Sequence, residues 1–275
     1  MLFKKTSVIG HPISHSLSPK IHNYWIKESG IRAAKYEKID VSPQSFDSEI
    51  ERLINEGYGG LNVTVPLKEL AYKKANKLSE VAKTTKAVNT LVFKDGNIFG
   101  TNTDPIGFES TLPKTVIEEN VKNKKCLVLG AGGAARAIVY ALHKLSANIW
   151  VFNRTHDKIK ILKKDMKINF KSIERSELDT NLKNFDLIVN TTSLGLAGNE
   201  ANDLVDFNKT KISCYVYDLI YEPKESNFLK KAQEHGLRTQ NGLKMLIGQA
   251  AASFYIWHGV NPTINTKLLS ILEME

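Results

Sequence analysis

Cysteine is nearly missing from this chain: there are two in 275 residues, Cys126 and Cys214. Each opens an apolar run that reads as a strand, so both are expected as small core residues, and a disulfide framework is excluded. Long hydrophobic runs are missing too. The densest, Leu243 to Trp257, is broken by Lys244 and Gln249 and falls short of the roughly 20 apolar residues that a bilayer requires. The opening Met1-Leu-Phe-Lys-Lys enters a strand without the apolar core of a signal peptide. A cytoplasmic protein with reduced thiols is therefore expected, with no membrane partner. Internal repeats and low-complexity tracts are absent, and no metal site is expected.

Positive charge is in excess, 38 Lys+Arg against 29 Asp+Glu for a net +9. That balance favours anionic ligands without choosing between a nucleotide, a carboxylic acid and RNA. The lysines are scattered, recurring in pairs such as Lys73-Lys74 and Lys163-Lys164 inside amphipathic segments. This is the signature of solvated helix faces, and no aromatic-and-basic motif accompanies it, so no nucleic-acid partner is expected. The length suits roughly two domains, and 42% hydrophobic residues can give each a core.

β-Branched runs alternate with helical patterns from the start: strands near Thr6–Gly10, Tyr36–Ile39 and Leu61–Val65, and helices from Pro19 to about Ser29 and from about Pro43 to Asn55. Such alternation predicts βαβ units and a mostly parallel sheet. A hairpin follows, Asn89-Thr-Leu-Val-Phe and Ile98-Phe-Gly around an Asp95-Gly96 turn, and Pro105 opens a helix out of the first unit. A second alternating series begins at Lys125-Cys-Leu-Val-Leu and continues through Ile149–Phe152, Phe185–Asn190 and Tyr215–Leu219. The polar stretch Val121 to Lys125 has the character of a link. Two late helices, Leu243–Trp257 and Pro262 to the end, could pack back on the first domain and make it discontinuous. The fold class is thus α/β with two domains: a mostly parallel substrate domain, residues 1–106 completed by 240–275, and a doubly wound domain, 107–239, with the active site expected in the cleft between them.

Chemistry is expected at strand ends, because open parallel sheets bind ligands outside the carboxyl ends of their strands. Asn62-Val-Thr-Val-Pro-Leu-Lys68 is an apolar strand stopped by Pro66, which has no N–H to donate, with Lys68 just beyond. The first strand ends in Gly10-His-Pro-Ile-Ser-His-Ser-Leu-Ser-Pro19, whose Ser14, Ser16 and Ser18 suit a carboxylate or polyol. Ser18 before Pro19 also reads as a helix N-cap. Gly100-Thr-Asn-Thr-Asp104 is positioned to bring a carboxylate near Lys68.

After strand Cys126–Leu129 comes Gly130-Ala-Gly-Gly-Ala-Ala-Arg136 and a helix-forming run. Gly130, Gly132 and Ala135 fit the three positions of the dinucleotide fingerprint: a tight turn, close backbone approach to a pyrophosphate, and helix-to-strand packing. The helix N-terminus adds free N–H groups and a positive dipole end. About 20 residues on, where an acid would hold a ribose 2′-hydroxyl, the sequence reads Asn153-Arg154-Thr155, with Lys158 one turn later. Arg154 can make paired hydrogen bonds to a phosphate. An effective Coulomb interaction of about 4 kcal/mol per close pair near a surface separates a 2′-phosphate from a hydroxyl, so NADP(H) is expected over NAD(H).

Taken in order, H-S-L-S-P, N-V-T-V-P-L-K, A-V-N-T with T-N-T-D, G-A-G-G-A-A-R, N-R-T and the late G-Q-A-A resemble the shikimate dehydrogenase family across essentially the whole chain. The resemblance implies NADPH-dependent reduction of 3-dehydroshikimate to shikimate in aromatic amino-acid and chorismate biosynthesis. It implies a catalytic pair Lys68 and Asp104; substrate ligands Ser16, Ser18, Thr64, Asn89, Asp104, Tyr221 and Gln249; and cofactor contacts at Gly130, Ala131, Gly132, Gly133, Ala134, Asn153, Arg154, Thr155, Lys158, Thr191, Thr192, Ser193, Leu219 and Gly242. Lys158 stands where many relatives have a second arginine, and Leu219 where a methionine is common. The partner is then a small carboxylic acid, with the chain acting as a monomer or homodimer. An NAD-using quinate/shikimate dehydrogenase and a non-catalytic NADP-binding protein are the alternatives.

Overall fold

Alternation of β-branched and amphipathic runs produces two six-stranded sheets, one in each of two units. The computed structural model describes residues 3–194 and 204–273. The chain forms two compact units, Met1–Gly107 with Leu246–Glu275, and Phe108–Met245.

The first unit runs β1 (Lys5–Gly10), α1 (Ser18–Glu28), β2 (Lys35–Asp40), α2 (Phe46–Asn55), β3 (Gly60–Val63), α3 (Lys68–Lys74), β4 (Lys77–Leu78), α4 (Glu80–Thr85), β5 (Thr90–Lys94), β6 (Asn97–Thr101) and α5 (Asp104–Glu109), whose last two residues fall in the second unit. Its sheet order is β2-β1-β3-β5-β6-β4. β2, β1 and β3 are parallel, β5 runs antiparallel to β3 and to β6, and β4 is parallel to β6. The reversal uses the two-residue turn Asp95-Gly96, with φ of 50° and 70°; two left-handed residues match the twist of a hairpin. Ile9, Ile50, Leu53, Leu61 and Leu91 form the centre of this core.

The second unit runs α6 (Lys114–Val116), continuous with a π-helical turn at Ile117–Val121, then β7 (Lys125–Leu129), α7 (Gly133–Lys144), β8 (Asn148–Phe152), α8 (His156–Met166), β9 (Lys171–Ser172), α9 (Arg175–Asn181), β10 (Leu187–Asn190), β11 (Tyr215–Asp218), α10 (Asn227–Glu234) and β12 (Arg238–Gln240). All its strand pairs are parallel. The order β12-β11-β10-β7-β8-β9 is the doubly wound order, with its direction of winding reversing between β7 and β10. The chain ends in α11 (Leu243–His258) and α12 (Thr266–Glu273), and from Leu246 onward it belongs to the first unit.

Several elements differ from the sequence expectation for physical reasons. β9 and β12 carry no periodic signal, because they are two and three residues long. The stretch Val121–Lys125 is no link between units. The division falls at Gly107, and just before that stretch the Asn120 side chain is buried, donating to the carbonyls of Asp186 and Ser213 at 2.8 Å each. α12 starts four residues after Pro262, where the Asn265 carboxamide accepts from the Leu268 N–H at 2.9 Å. Cys126 and Cys214 are buried and free; burial pushes the Cys126 thiol well up and Cys214 to about 12. No helix among the described residues is long and apolar enough to cross a membrane.

The first unit also buries two imidazoles. His22 stacks on Tyr36 at 4.0 Å between ring centroids and lies among Trp25, Phe254 and Trp257. His258 packs on Phe254 at 4.5 Å. Burial lowers His22 from 6.5 to about 3 and His258 to about 4. The unfolded chain therefore takes up protons below pH 6.5 that the fold refuses until about pH 4, so stability is present above 6.5 and lost as pH falls through that window. His22→Phe is expected to abolish about 2 kcal/mol of the loss between pH 6.5 and 5. Thermal midpoints of the two proteins across that range test it, and parallel pH curves would refute it.

Candidate active site

Strand direction decides which side chains meet in the first unit. Because β5 opposes β3 and β6 opposes β5, Thr90 lies opposite both Asn62 and Thr101. The carboxyl ends of β3 and β6 therefore share an edge with the amino end of β5. Asn89 sits at that edge, its carbonyl accepting from the Val63 N–H at 2.8 Å and its N–H donating to Thr101 at 3.1 Å. Lys68 begins α3 after the turn that Pro66 closes, and Asp104 begins α5 before Pro105.

The Lys68 ammonium reaches the Asp104 carboxylate at 2.5 Å, with side chains 15% and 6% exposed. The other carboxylate oxygen accepts from Asn89 Nδ2 at 2.8 Å. Asn89 Nδ2 also lies 3.2 Å from Gln249 Oε1 on α11 and 2.9 Å from Thr103 Oγ1. Lys68, Asp104, Asn89 and Gln249, proposed from sequence as distant partners, thus form one hydrogen-bonded cluster.

Thr64 and the serine loop occupy adjacent strand ends. The Thr64 N–H donates to Ile9 O at 2.9 Å and the His11 N–H to Val65 O at 3.1 Å. Gly10 allows this approach, since a Cβ there would stand 2.4 Å from Thr64 Cγ2 and 3.1 Å from Val65 O. The N-cap expected at Ser18 is not found: Ser18 is already helical and buried, and Leu17 caps α1 without a side-chain bond. Ser16 Oγ instead accepts from the Ser18 N–H at 3.4 Å. Lys38 pins this loop by donating from its ammonium to the Ser14 carbonyl.

In the second unit the expected cofactor residues fall at the carboxyl ends of β7, β8, β10 and β11 and just after β12. Gly130 has φ of +115°, and a Cβ there would stand 2.5 Å from Thr191 Oγ1. Thr191 closes the winding reversal, its N–H and hydroxyl both donating to Leu129 O at 2.9 and 2.7 Å. Gly132 caps α7, and a Cβ there would meet nothing within 4 Å. Open space at a helix N-terminus is what a pyrophosphate requires. Ala131 is buried, while Gly133 and Ala134 open α7. Beyond β8, Asn153 Nδ2 donates to Thr155 O at 2.8 Å, folding the tip before α8. Arg154 and Lys158 are exposed there, and neither pairs with an acid among the described residues. Thr192 donates to Asn190 Oδ1 at 2.7 Å, and Ser193 follows, exposed. Gly242 packs on Leu219, where a Cβ would stand 2.0 Å from the carbonyl oxygen. Tyr221 follows β11, partly buried.

Three family models match along the chain: the shikimate dehydrogenase substrate binding domain at residues 8–91, shikimate / quinate 5-dehydrogenase at 112–218, and the shikimate 5′-dehydrogenase C-terminal domain at 242–264. Shikimate dehydrogenase (NADP(+)) of Pelagibacter ubique is 43% identical over 98% of this chain and 100% of its own length. The chain belongs to the shikimate dehydrogenase family. The family enzyme of Methanococcus maripaludis is 39% identical over 95% of this chain and 94% of its own. Among solved structures, shikimate dehydrogenase of Aquifex aeolicus superposes with a TM-score of 0.88 at 34% identity, covering 99% of this chain and 98% of that one. Shikimate 5-dehydrogenase of Thermus thermophilus in complex with NADP(H) and shikimate does so with 0.85 at 32%, over 99% and 98%.

One buried acid of this shikimate dehydrogenase family member was not singled out in the sequence. Asp218 ends β11, its Oδ1 accepting from Asn190 Nδ2 at 3.0 Å and the Ile220 N–H at 3.1 Å, and its Oδ2 from Ser226 Oγ at 2.5 Å. A charge inside the apolar run Tyr215-Val-Tyr-Asp was the signal available. The carboxyl ties the ends of β10 and β11 to the cap of α10. Burial raises it from 3.8 to about 6 against those three donors. Its contribution to stability is thus present below 3.8 and lost as pH rises through 6. Relative to the parent, Asp218→Asn is expected to gain about 3 kcal/mol between pH 3.8 and 7, read as a rising difference in thermal midpoint. A pH-independent difference would refute it.

Proposed function

We propose that the chain catalyses the reversible, NADPH-dependent reduction of 3-dehydroshikimate to shikimate, with Lys68 and Asp104 as the catalytic pair. The observation that carries this reading is the shielded ion pair at 2.5 Å, held by Asn89 at a strand-end edge of the first unit. The relatives named above are NADP(+) enzymes, and the cationic tip at Arg154 and Lys158 fits a 2′-phosphate, which favours this reading over an NAD-using quinate/shikimate dehydrogenase.

Bound NADPH supplies the hydride. The chain must then meet negative charge growing on the carbonyl oxygen, where a fixed cation and proton donor contributes most. Lys68 holds its ammonium for that oxygen and gives it a proton; in the reverse direction it accepts one. Asp104 keeps the flexible lysine stem aimed. Ser16 and Ser18 bind the substrate carboxylate, and Thr64, Asn89, Gln249 and Tyr221 the ring hydroxyls. The open backbone at Gly130–Ala134 receives the pyrophosphate, the tip 153–158 the 2′-phosphate, and Thr191–Ser193, Leu219 and Gly242 flank the nicotinamide. We place the enzyme in the cytoplasm as a monomer or homodimer.

Absorbance at the NADPH band, with shikimate or quinate paired with NADP or NAD, tests the assignment. Shikimate with NADP is expected to be the efficient pairing, and no shikimate-dependent reduction of NADP would overturn the reading in favour of a binding protein. Lys68→Ala is expected to lower turnover by about 10²–10⁴ with little change in KM for shikimate. Turnover near that of the parent would remove Lys68 from the chemistry. Arg154→Ala is expected to lower the NADP to NAD efficiency ratio by about 10–100-fold, the worth of hydrogen bonds to a charged group. An unchanged ratio would place the 2′-phosphate elsewhere.

A further inference from the structure

Behind Asp104 and Asn89 the first unit buries three polar side chains, Tyr36, Asn62 and Thr90, that the chemistry above does not use. Tyr36 on β2 donates from its hydroxyl to Asn62 Oδ1 at 2.7 Å. Asn62, in the middle of β3, donates from Nδ2 to Thr90 Oγ1 at 3.2 Å. Thr90, the first residue of β5, donates to Asn89 Oδ1 at 2.9 Å. Asn89 donates to Asp104 Oδ1 at 2.8 Å, and Lys68 holds the other oxygen. All four side chains behind the carboxylate are buried.

Backbone groups fix the direction of this run. Asn62 Nδ2 lies 3.2 Å from the Asn89 carbonyl oxygen, which can only accept; its Oδ1 must then face Tyr36, whose hydroxyl donates. Asn89 Oδ1 accepts from the Thr103 N–H at 2.8 Å, which can only donate; its Nδ2 must then face Asp104. Thr90 accepts a hydrogen bond from Asn62 and donates its own to Asn89. Each donor is thereby polarised by the one behind it, and such chains strengthen cooperatively in a dry interior. Ser253 on α11 braces the middle: its Oγ accepts from Asn62 Nδ2 at 2.9 Å and stands 2.9 Å from Thr90 Oγ1, to which its hydroxyl can donate. His22, stacked on Tyr36, is held neutral by burial, so no charge breaks the run at its start. Lys68 is the cation paired with Asp104 among the described residues.

We propose that Tyr36, Asn62 and Thr90 are positioning residues that act through Asn89 on Asp104, fixing the carboxylate's orientation so that Lys68 stays aimed at the reacting oxygen. This rests on the assignment of Lys68 and Asp104 as the catalytic pair. The polar groups, not the volumes, carry the effect.

Thr90→Val keeps the shape and removes the hydroxyl. It is expected to lower kcat by about tenfold, the loss of one buried hydrogen bond, with KM for shikimate within about twofold of the parent's; Thr90→Ser is expected to restore kcat. Tyr36→Phe carries the same test from the far end, with a smaller fall, and stands alone should Thr90→Val not fold. In the Asp104→Asn background, Thr90→Val or Tyr36→Phe is expected to cost no further turnover, because the group they act on is gone; a merely structural role gives additive losses. Parent-like kcat in both single variants, a fall that Thr90→Ser does not reverse, or full additivity with Asp104→Asn would overturn the proposal. Lys68→Ala, measured alongside, separates the two levels. If it and Asp104→Asn turn over normally, the catalytic assignment falls and takes the chain with it; if both are disabled while the Thr90 and Tyr36 variants behave as the parent, the chain alone falls.

Discussion

A carboxylate taken out of water has to be matched by donors and an opposite charge, and at Asp104 the match comes from three segments far apart in sequence. Lys68 supplies the charge from the start of α3, Asn89 the amide from the turn into β5, and Gln249 on α11 contacts that amide from behind. Losing one partner leaves a buried charge uncompensated, which costs far more than the pair contributes when whole. The pair is therefore less a stabilising contact than a constraint: α3, β5, α5 and α11 are all obliged to present their polar groups at one edge of the sheet.

The second unit solves a different problem with the same resource, the ends of parallel strands. Around the winding reversal, small residues keep space open or let backbones touch: Gly130 against Thr191, Gly242 against the Leu219 carbonyl. The loops this frees are then held by buried polar groups, Asn190 and Asp218 above all. Space is left where a ligand's phosphates would need it, and rigidity is supplied one residue behind. Keeping Asp218 buried costs stability at neutral pH, a common bargain at sites that hold loops in fixed positions.

Much of this was legible because function sits at strand ends, and strand ends are where proline, glycine and polar residues interrupt an apolar pattern. Lys68 after Pro66, Asp104 before Pro105 and the Gly130 turn were visible for that reason. What sequence pattern missed falls into two kinds. β9 and β12 are too short to show a period, and the polar stretch Val121–Lys125 looked like a link because the buried contacts of Asn120 are made by residues 66 and 93 positions away. Thr90, Ser253 and Asp218 belong to apolar elements, at the ends of β5 and β11 and inside α11, where a lone polar residue reads as noise until its partners in space are known. Ser18 was misjudged as a cap because a serine before a proline fits a helix start, while the chain enters the helix one residue earlier.

Thr101, Thr103 and Asp104 come back beside Asn89 and Thr90 only because the chain doubles back at Asp95-Gly96, about a strand's length from the ion pair. Side chains along a strand alternate between faces, so the number of residues between that bend and Thr90 acts as a ruler. Lengthening the exposed tip itself would leave the ruler intact, making it a suitable place to graft a tag or a label. Adding a single residue within either arm would instead slip Thr90 out of register with Thr101 and move Thr103 and Asp104 a step away from Asn89, disabling a centre that no inserted atom touches.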